Sequence, residues 1–205
     1  IAQAVTVTFL LVSAICALTV FYQVWQNGAL PTQTIISWIS SGDFSVNWAL
    51  KIDQLTAIML VVVTVVSSLV HIYSLGYMSD DKNLPKFLSY LSLFTFFMLA
   101  LISADNFLQL FFGWEGVGLC SYLLIGYYYK KAAANNAAIK AFVVNRVGDF
   151  AFILGILMIF VNTDTINFFS LISFVEQLSS DKLSLFGNEF SKLDVICFLV
   201  FFGCM

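Results

Sequence analysis

Apolar runs of about 20 residues, separated by shorter polar connections, recur along this chain, and that recurrence leaves few folds open. A segment of that length in lipid has to satisfy each backbone N–H and C=O internally, so it spans as a helix. Spans are expected near residues 4–25, 55–73, 87–102, 107–129 and 138–161, with a sixth starting at 193 and cut short. The fold class is an all-α polytopic membrane protein, a transmembrane helix bundle, with residues 1–205 forming part of one transmembrane domain. Ile1 opens an apolar run without an initiator Met, and Met205 stops inside another, so a piece of a longer polytopic chain is expected. The first run has no basic flank or cleavage pattern of a signal peptide.

Composition agrees and narrows the function. The chain is 60% hydrophobic and 10% charged, where soluble domains carry about 25% charged residues. A net charge of −3 is scattered and forms no basic patch, which excludes nucleic acid as a partner and leaves the lipid bilayer as the surrounding medium. Cys16, Cys120, Cys197 and Cys204 sit in apolar surroundings without a C-x-x-C spacing, which argues against disulfides, zinc and iron–sulfur sites.

Two connections carry structure of their own. Residues 34–53 alternate apolar and polar side chains around Ser41-Gly-Asp43, the pattern of a β-hairpin lying on the membrane surface. Its Trp38 and Trp48 are either packing residues or interfacial anchors. Residues 162–192 mix apolar stretches with Asp164, Glu176, Asp181, Lys182 and Glu189, and a short interfacial helix is expected within this surface connection. Ser103-Ala-Asp-Asn106 is so short that its flanking helices must be antiparallel neighbours. Lys82, Lys86, Lys130, Lys131 and Lys140 cluster at two short loops on one side, which the positive-inside rule makes cytoplasmic, or matrix-facing in a mitochondrion.

Charges within the spans need a reason, because each costs about 2.5–3.5 kcal/mol at a helix centre. Glu115 lies some eight residues into its helix, about 12 Å from the start. It sits in Gly113-Trp-Glu-Gly-Val-Gly118, whose glycines admit a close neighbour or water but lack the strand–turn–helix setting of a nucleotide loop. It is either a proton-carrying carboxyl or a buried acid tied to another helix for assembly. Arg146 and Asp149 are three residues apart on one helix face and can pair. That pair is either structural glue or a gate on a proton path, since an Asp binds protons differently with and without an Arg beside it. His71, the single histidine, is a proton relay or a hydrogen-bonded packing residue. Lys140, at the mouth of the Arg146 helix, either snorkels to the interface or joins the polar line, but six residues' separation disfavours a pair with Arg146.

Four ordered motifs carry a family resemblance: Lys51-Ile-Asp-Gln-Leu-Thr56; Ser67-Ser-Leu-Val-His-Ile-Tyr-Ser-Leu-Gly-Tyr-Met78; Asp105-Asn-Phe-Leu-Gln-Leu-Phe-Phe-Gly-Trp-Glu-Gly-Val-Gly-Leu-Cys-Ser-Tyr-Leu-Leu-Ile125; and Val144-Asn-Arg-Val-Gly-Asp149. Together they resemble the antiporter-like chain 5 (subunit L) family of NADH:quinone oxidoreductase, respiratory complex I. The resemblance implies an antiporter-like bundle and a proton-translocating subunit of the membrane arm, coupled to quinone reduction elsewhere in the complex. It implies no redox active site or cofactor in this chain, with NADH, FMN, iron–sulfur clusters and quinone held by other subunits. Partners are then the other membrane-arm subunits and the protons they move, in a bacterial inner membrane or alternatively a mitochondrial one.

Glu115 matches the family's central proton-carrying Glu, and Arg146 and Asp149 match its N-R-V-G-D motif. In the family that Glu works against a lysine, which the resemblance implies should lie just beyond Met205. The rival readings are a subunit of a multisubunit Na+/H+ antiporter or membrane-bound hydrogenase, which shares the Glu-bearing helix, and a non-transporting membrane scaffold whose buried charges only hold it together.

Overall fold

The computed structural model describes residues 2–42, 44–185 and 188–204. Among the described residues, eight α-helices and one 3-10 turn, Ile172–Phe174, appear in chain order with two short hairpins between them: α1 (Ala2–Asn27), β1 (Gln33–Ser41), β2 (Phe44–Leu50), α2 (Gln54–Tyr77), α3 (Leu84–Ile102), α4 (Phe107–Ile125), α5 (Ala132–Thr163), α6 (Phe168–Leu171), α7 (Val175–Ser180), β3 (Lys182–Leu185), β4 (Asn188–Ser191) and α8 (Lys192–Cys204). Among the described residues, five helices are long and apolar enough to cross a membrane: Gln3–Asn27, Gln54–Tyr77, Leu84–Ile102, Phe107–Ile125 and Ala132–Thr163. An all-α polytopic bundle with a surface hairpin is therefore the fold found. α1 packs along α2, α3 along α4 and α5 along α8.

Local signals place the helix ends. Asp53 caps α2 by accepting the Thr56 N–H at 2.8 Å, and Asn106 caps α4 by accepting the Gln109 N–H at 2.9 Å. Pro85 opens α3, where its missing N–H costs nothing. α5 starts at Ala132, six residues before the apolar run, because the alanines of 132–138 extend the helix past the hydrocarbon boundary. α4 ends at Ile125 rather than at 129, where Gly126 leads into the Tyr127–Tyr129 turn.

Polar side chains are among those the bundle buries. Thr64, Ser68 and Ser74 are buried along α2, and each hydroxyl donates to the carbonyl of Leu60, Thr64 or Val70 one turn back, at 2.7 Å. The apolar side chains point outward instead: Leu55, Val66, Leu69 and Tyr73 on the same helix are more than half exposed. This is the order that lipid imposes, since it offers no hydrophobic gain for hiding a leucine and a penalty for an unpaired hydroxyl.

The β1–β2 hairpin is antiparallel, pairing Gln33 with Leu50 and Ser41 with Phe44 across two register shifts. Gly42 takes a left-handed φ of 59° at its turn. Asp43, the third residue of the expected Ser-Gly-Asp turn, lies outside the described residues. Trp38 and Trp48 pack edge to face with each other at 5.1 Å and with Phe112 of α4 at 5.7 and 5.2 Å, so both are packing residues. Gln109 accepts the Ala49 N–H at 3.2 Å and Asn106 donates to the Asn47 carbonyl at 2.9 Å, which fastens the hairpin to the head of α4. The 162–192 connection holds the short helices α6 and α7 and also a second hairpin, β3–β4, pinned by Lys182 to Glu189 at 2.8 Å.

Candidate functional site in the transmembrane bundle

α3 and α4 approach closely because two glycines remove the side chains between them. A Cβ on Gly113 would fall 2.7 Å from the Leu101 backbone, and one on Gly116 would fall 2.0 Å from the Phe97 ring. This packing turns Trp114 and Glu115 toward α5. Glu115 is near the middle of the 19-residue α4, and Arg146 near the middle of the 32-residue α5.

Arg146 Nη1 stands 2.5 Å from both Glu115 carboxylate oxygens, and 3.7 Å from Asp149 Oδ2. The Arg146 guanidinium also lies 4.6 Å from the Phe142 ring centroid, a cation–π contact that holds it over the site. Asp149 is buried and accepts the Trp114 indole N–H at 3.1 Å. One guanidinium thus faces two carboxylates, which leaves one negative charge unneutralised within the span. A cleft of about 620 Å³ opens beside it, bounded by α4, α5 and the last turn of α8 at Phe202, Gly203 and Cys204. Gly148 and Gly203 make that boundary narrow, since a Cβ on Gly148 would sit 3.0 Å from the Gly203 carbonyl oxygen.

The structure brings together Glu115, Arg146 and Asp149 and places His71 elsewhere. His71 is buried between α2 and α3, with Nδ1 2.8 Å from the Ser67 carbonyl and Nε2 3.2 Å from Ser92 Oγ. The Ser67 hydroxyl continues to Thr95 at 2.5 Å, so the ring belongs to a separate polar chain. Lys140 is exposed on α5 and, among the described residues, forms no ion pair. Sequence reasoning paired Arg146 with Asp149, and the structure adds the tighter contact with Glu115. Trp114 was missed altogether, although its place beside Glu115 in the glycine-rich segment was the available signal.

A polytopic bundle with an acid on one span bridged by an arginine to an acid on the next fits the class of antiporter-like membrane subunits. The comparisons agree. The family model described as NADH-ubiquinone oxidoreductase (complex I), chain 5 N-terminus, matches residues 38–88, and that described as NADH:quinone oxidoreductase/Mrp antiporter, TM, matches residues 104–205. The chain belongs to the chain 5, or subunit L, family of antiporter-like subunits of NADH:quinone oxidoreductase.

NADH-quinone oxidoreductase subunit L of Rickettsia felis is 57% identical over all of this chain, which covers 31% of that protein. Subunit L of Rhodobacter capsulatus is 47% identical over all of the chain and 29% of its own length. NADH-ubiquinone oxidoreductase chain 5 of Phytophthora infestans is 48% identical over 97% of this chain and 30% of its own. The chain therefore spans about a third of the length of the curated relatives it matches. In a solved structure of the membrane-bound sulfane sulfur reductase, an archaeal respiratory membrane complex, a chain superposes with a TM-score of 0.77 at 22% identity, over 98% of this chain and 38% of that one, which shows a shared fold.

Proposed function

We propose that this chain supplies a proton-loading site to the membrane arm of an NADH:quinone oxidoreductase, with Glu115 carrying the proton and Arg146 gating it. The observation that carries the proposal is the guanidinium shared unequally between Glu115 and Asp149 across α4 and α5. While Arg146 sits on Glu115, the acid is matched by a cation. When Arg146 swings toward Asp149, Glu115 is left without its counter-charge in a low-dielectric span, and taking a proton from the cleft neutralises it. Return of the guanidinium releases that proton. Trp114 holds Asp149 in place as the fixed alternative partner, so the exchange has two defined ends.

His71 serves as a secondary relay in this reading, on its own hydroxyl chain between α2 and α3. The NADH, FMN, iron–sulfur and quinone chemistry is assigned to other subunits, whose conformational work moves Arg146. The membrane is a bacterial inner membrane or, alternatively, a mitochondrial one.

The test uses sealed vesicles holding the full-length protein in its assembled complex, with a pH-sensitive dye and NADH as fuel. The signal is expected to form without sodium, to collapse with a protonophore, and to weaken in Glu115→Gln. A gradient that requires sodium would favour cation exchange over proton pumping at the same acids.

A further inference from the structure

The end of the bundle away from the β1–β2 hairpin carries a cleft that the proton site leaves unused. It has a volume of about 380 Å³ and lies between the α2–α3 turn, residues 78–83, and the α4–α5 turn, residues 126–131. Its walls are fixed. The Tyr127 hydroxyl donates to Asp81 Oδ2 at 3.2 Å, and its ring meets Phe87 edge to face at 5.2 Å. Burial, reinforced by the bond to Asp81, pushes the Tyr127 hydroxyl up to about 12, so it stays a neutral donor at any physiological pH.

Lys86, Lys130 and Lys131 line this cleft, and among the described residues none of them pairs with a carboxylate. Aromatic faces position two of them instead. Lys86 Nζ is 5.7 Å from the Tyr129 ring centroid and 5.6 Å from that of Tyr90, and Lys131 Nζ is 5.0 Å from that of Tyr128. A cation–π contact fixes an ammonium without cancelling its charge. Against Asp81 alone, the three lysines leave a formal surplus of two positive charges. The first turn of α5, which has no acidic residue and no side-chain cap from Lys131, adds its own positive end.

We propose that this cleft binds the phosphate of an anionic membrane phospholipid, held by Lys86, Lys130 and Lys131. The level in the membrane selects a lipid over a soluble anion. The cleft sits where the spans end, rimmed by the exposed rings of Tyr128 and Tyr129, and the helices continue from it into the bilayer with Ile125, Ile139 and Val143 exposed for acyl chains. A zwitterionic headgroup would bring its own ammonium against three lysines, so the site prefers phosphatidylglycerol to phosphatidylcholine.

The test is photocrosslinking of the full-length protein in its assembled complex, in nanodiscs, by phosphatidylglycerol or phosphatidylcholine carrying a diazirine. Mass spectrometry reads the peptides that span residues 78–92 and 126–140. Phosphatidylglycerol is expected to label them preferentially, with labelling falling roughly fivefold for each lysine changed to Gln at 86, 130 and 131. The triple change to Arg should retain labelling, and Lys182→Gln on the opposite side should leave it unchanged. Equal labelling by both lipids, or no loss in the triple Gln variant on a complex that assembles normally, would mean that these lysines only set membrane orientation. Loss of labelling on adding inorganic phosphate would reassign the cleft to a soluble anion. Either outcome overturns the proposal.

Discussion

Arg146 on α5 grips the Glu115 carboxylate on α4 at 2.5 Å while its nearest approach to Asp149, one turn away on its own helix, is 3.7 Å. The stronger partner is thus the one across the helix interface. Arg146→Ala would leave two carboxylates facing each other without a cation. Breaking a buried pair by removing one partner costs about 3–5 kcal/mol, and the partial exposure of Arg146 to the cleft reduces that. The expected outcome is an assembled complex with a lowered thermal midpoint and proton pumping largely lost. Arg146→Lys should restore the thermal midpoint but not full pumping, because a compact, flexible ammonium does not reproduce the planar guanidinium's seat between the two acids. Native gels and the dye assay check both.

Trp114→Phe keeps an aromatic ring, though a smaller one, and removes the indole donor to Asp149. Interhelical hydrogen bonds in membranes contribute about 0.6 kcal/mol on average and up to roughly 1.7. A proton pumping rate reduced severalfold is expected, with assembly intact. An unchanged rate would show that the Trp114 bond is not what holds Asp149 as the second seat of Arg146.

Gly113→Ala tests the packing that presents Glu115. The added methyl would fall 2.7 Å from the Leu101 backbone, which has no flexible side chain to yield, so α3 and α4 must separate. Overpacking of this kind costs about 1–3 kcal/mol. A lower thermal midpoint of the complex is expected, together with impaired pumping, since the same shift moves Glu115 relative to Arg146.

Much of this was legible in the sequence, and the reasons differ by element. The spans were readable because lipid demands long apolar runs, and the β1–β2 hairpin because its alternation is strong. The Glu115–Arg146 contact was not, since the two are 31 residues apart and only the docking of α4 on α5 brings them together. The early start of α5 was missed because its alanines are helical without being strongly apolar. The four-residue strands of β3–β4 are too short to show a period. His71 was readable as a relay or a packing residue, but its place one interface away from Glu115 depends on which helix faces which, and a single sequence does not state that.

Asp53 gives a pH prediction away from the proton site. The Thr56 backbone N–H that it accepts is the main cause holding its carboxyl below the ordinary value, with Lys51 3.7 Å away adding to it. A carboxylate lowered by folding contributes stability that is present above its unfolded value, about 3.9, and lost as pH falls through the lower folded value. Asp53→Asn can still cap the helix, so the variant removes chiefly the charge. The wild-type advantage in thermal midpoint is expected to hold from about pH 8 to about pH 5 and to shrink below about pH 4. An advantage that grows on acidification would contradict the assignment.

The most direct test of the proton-loading site is the number of protons moved per NADH oxidised, measured in sealed vesicles for the wild-type complex, Glu115→Gln and Glu115→Asp after assembly is verified. The account predicts that the ratio falls in Glu115→Gln, which cannot take a proton, and is at least partly kept in Glu115→Asp. An unchanged ratio in an assembled Glu115→Gln complex would contradict it and leave the Glu115–Arg146 bridge as a structural tie between two helices.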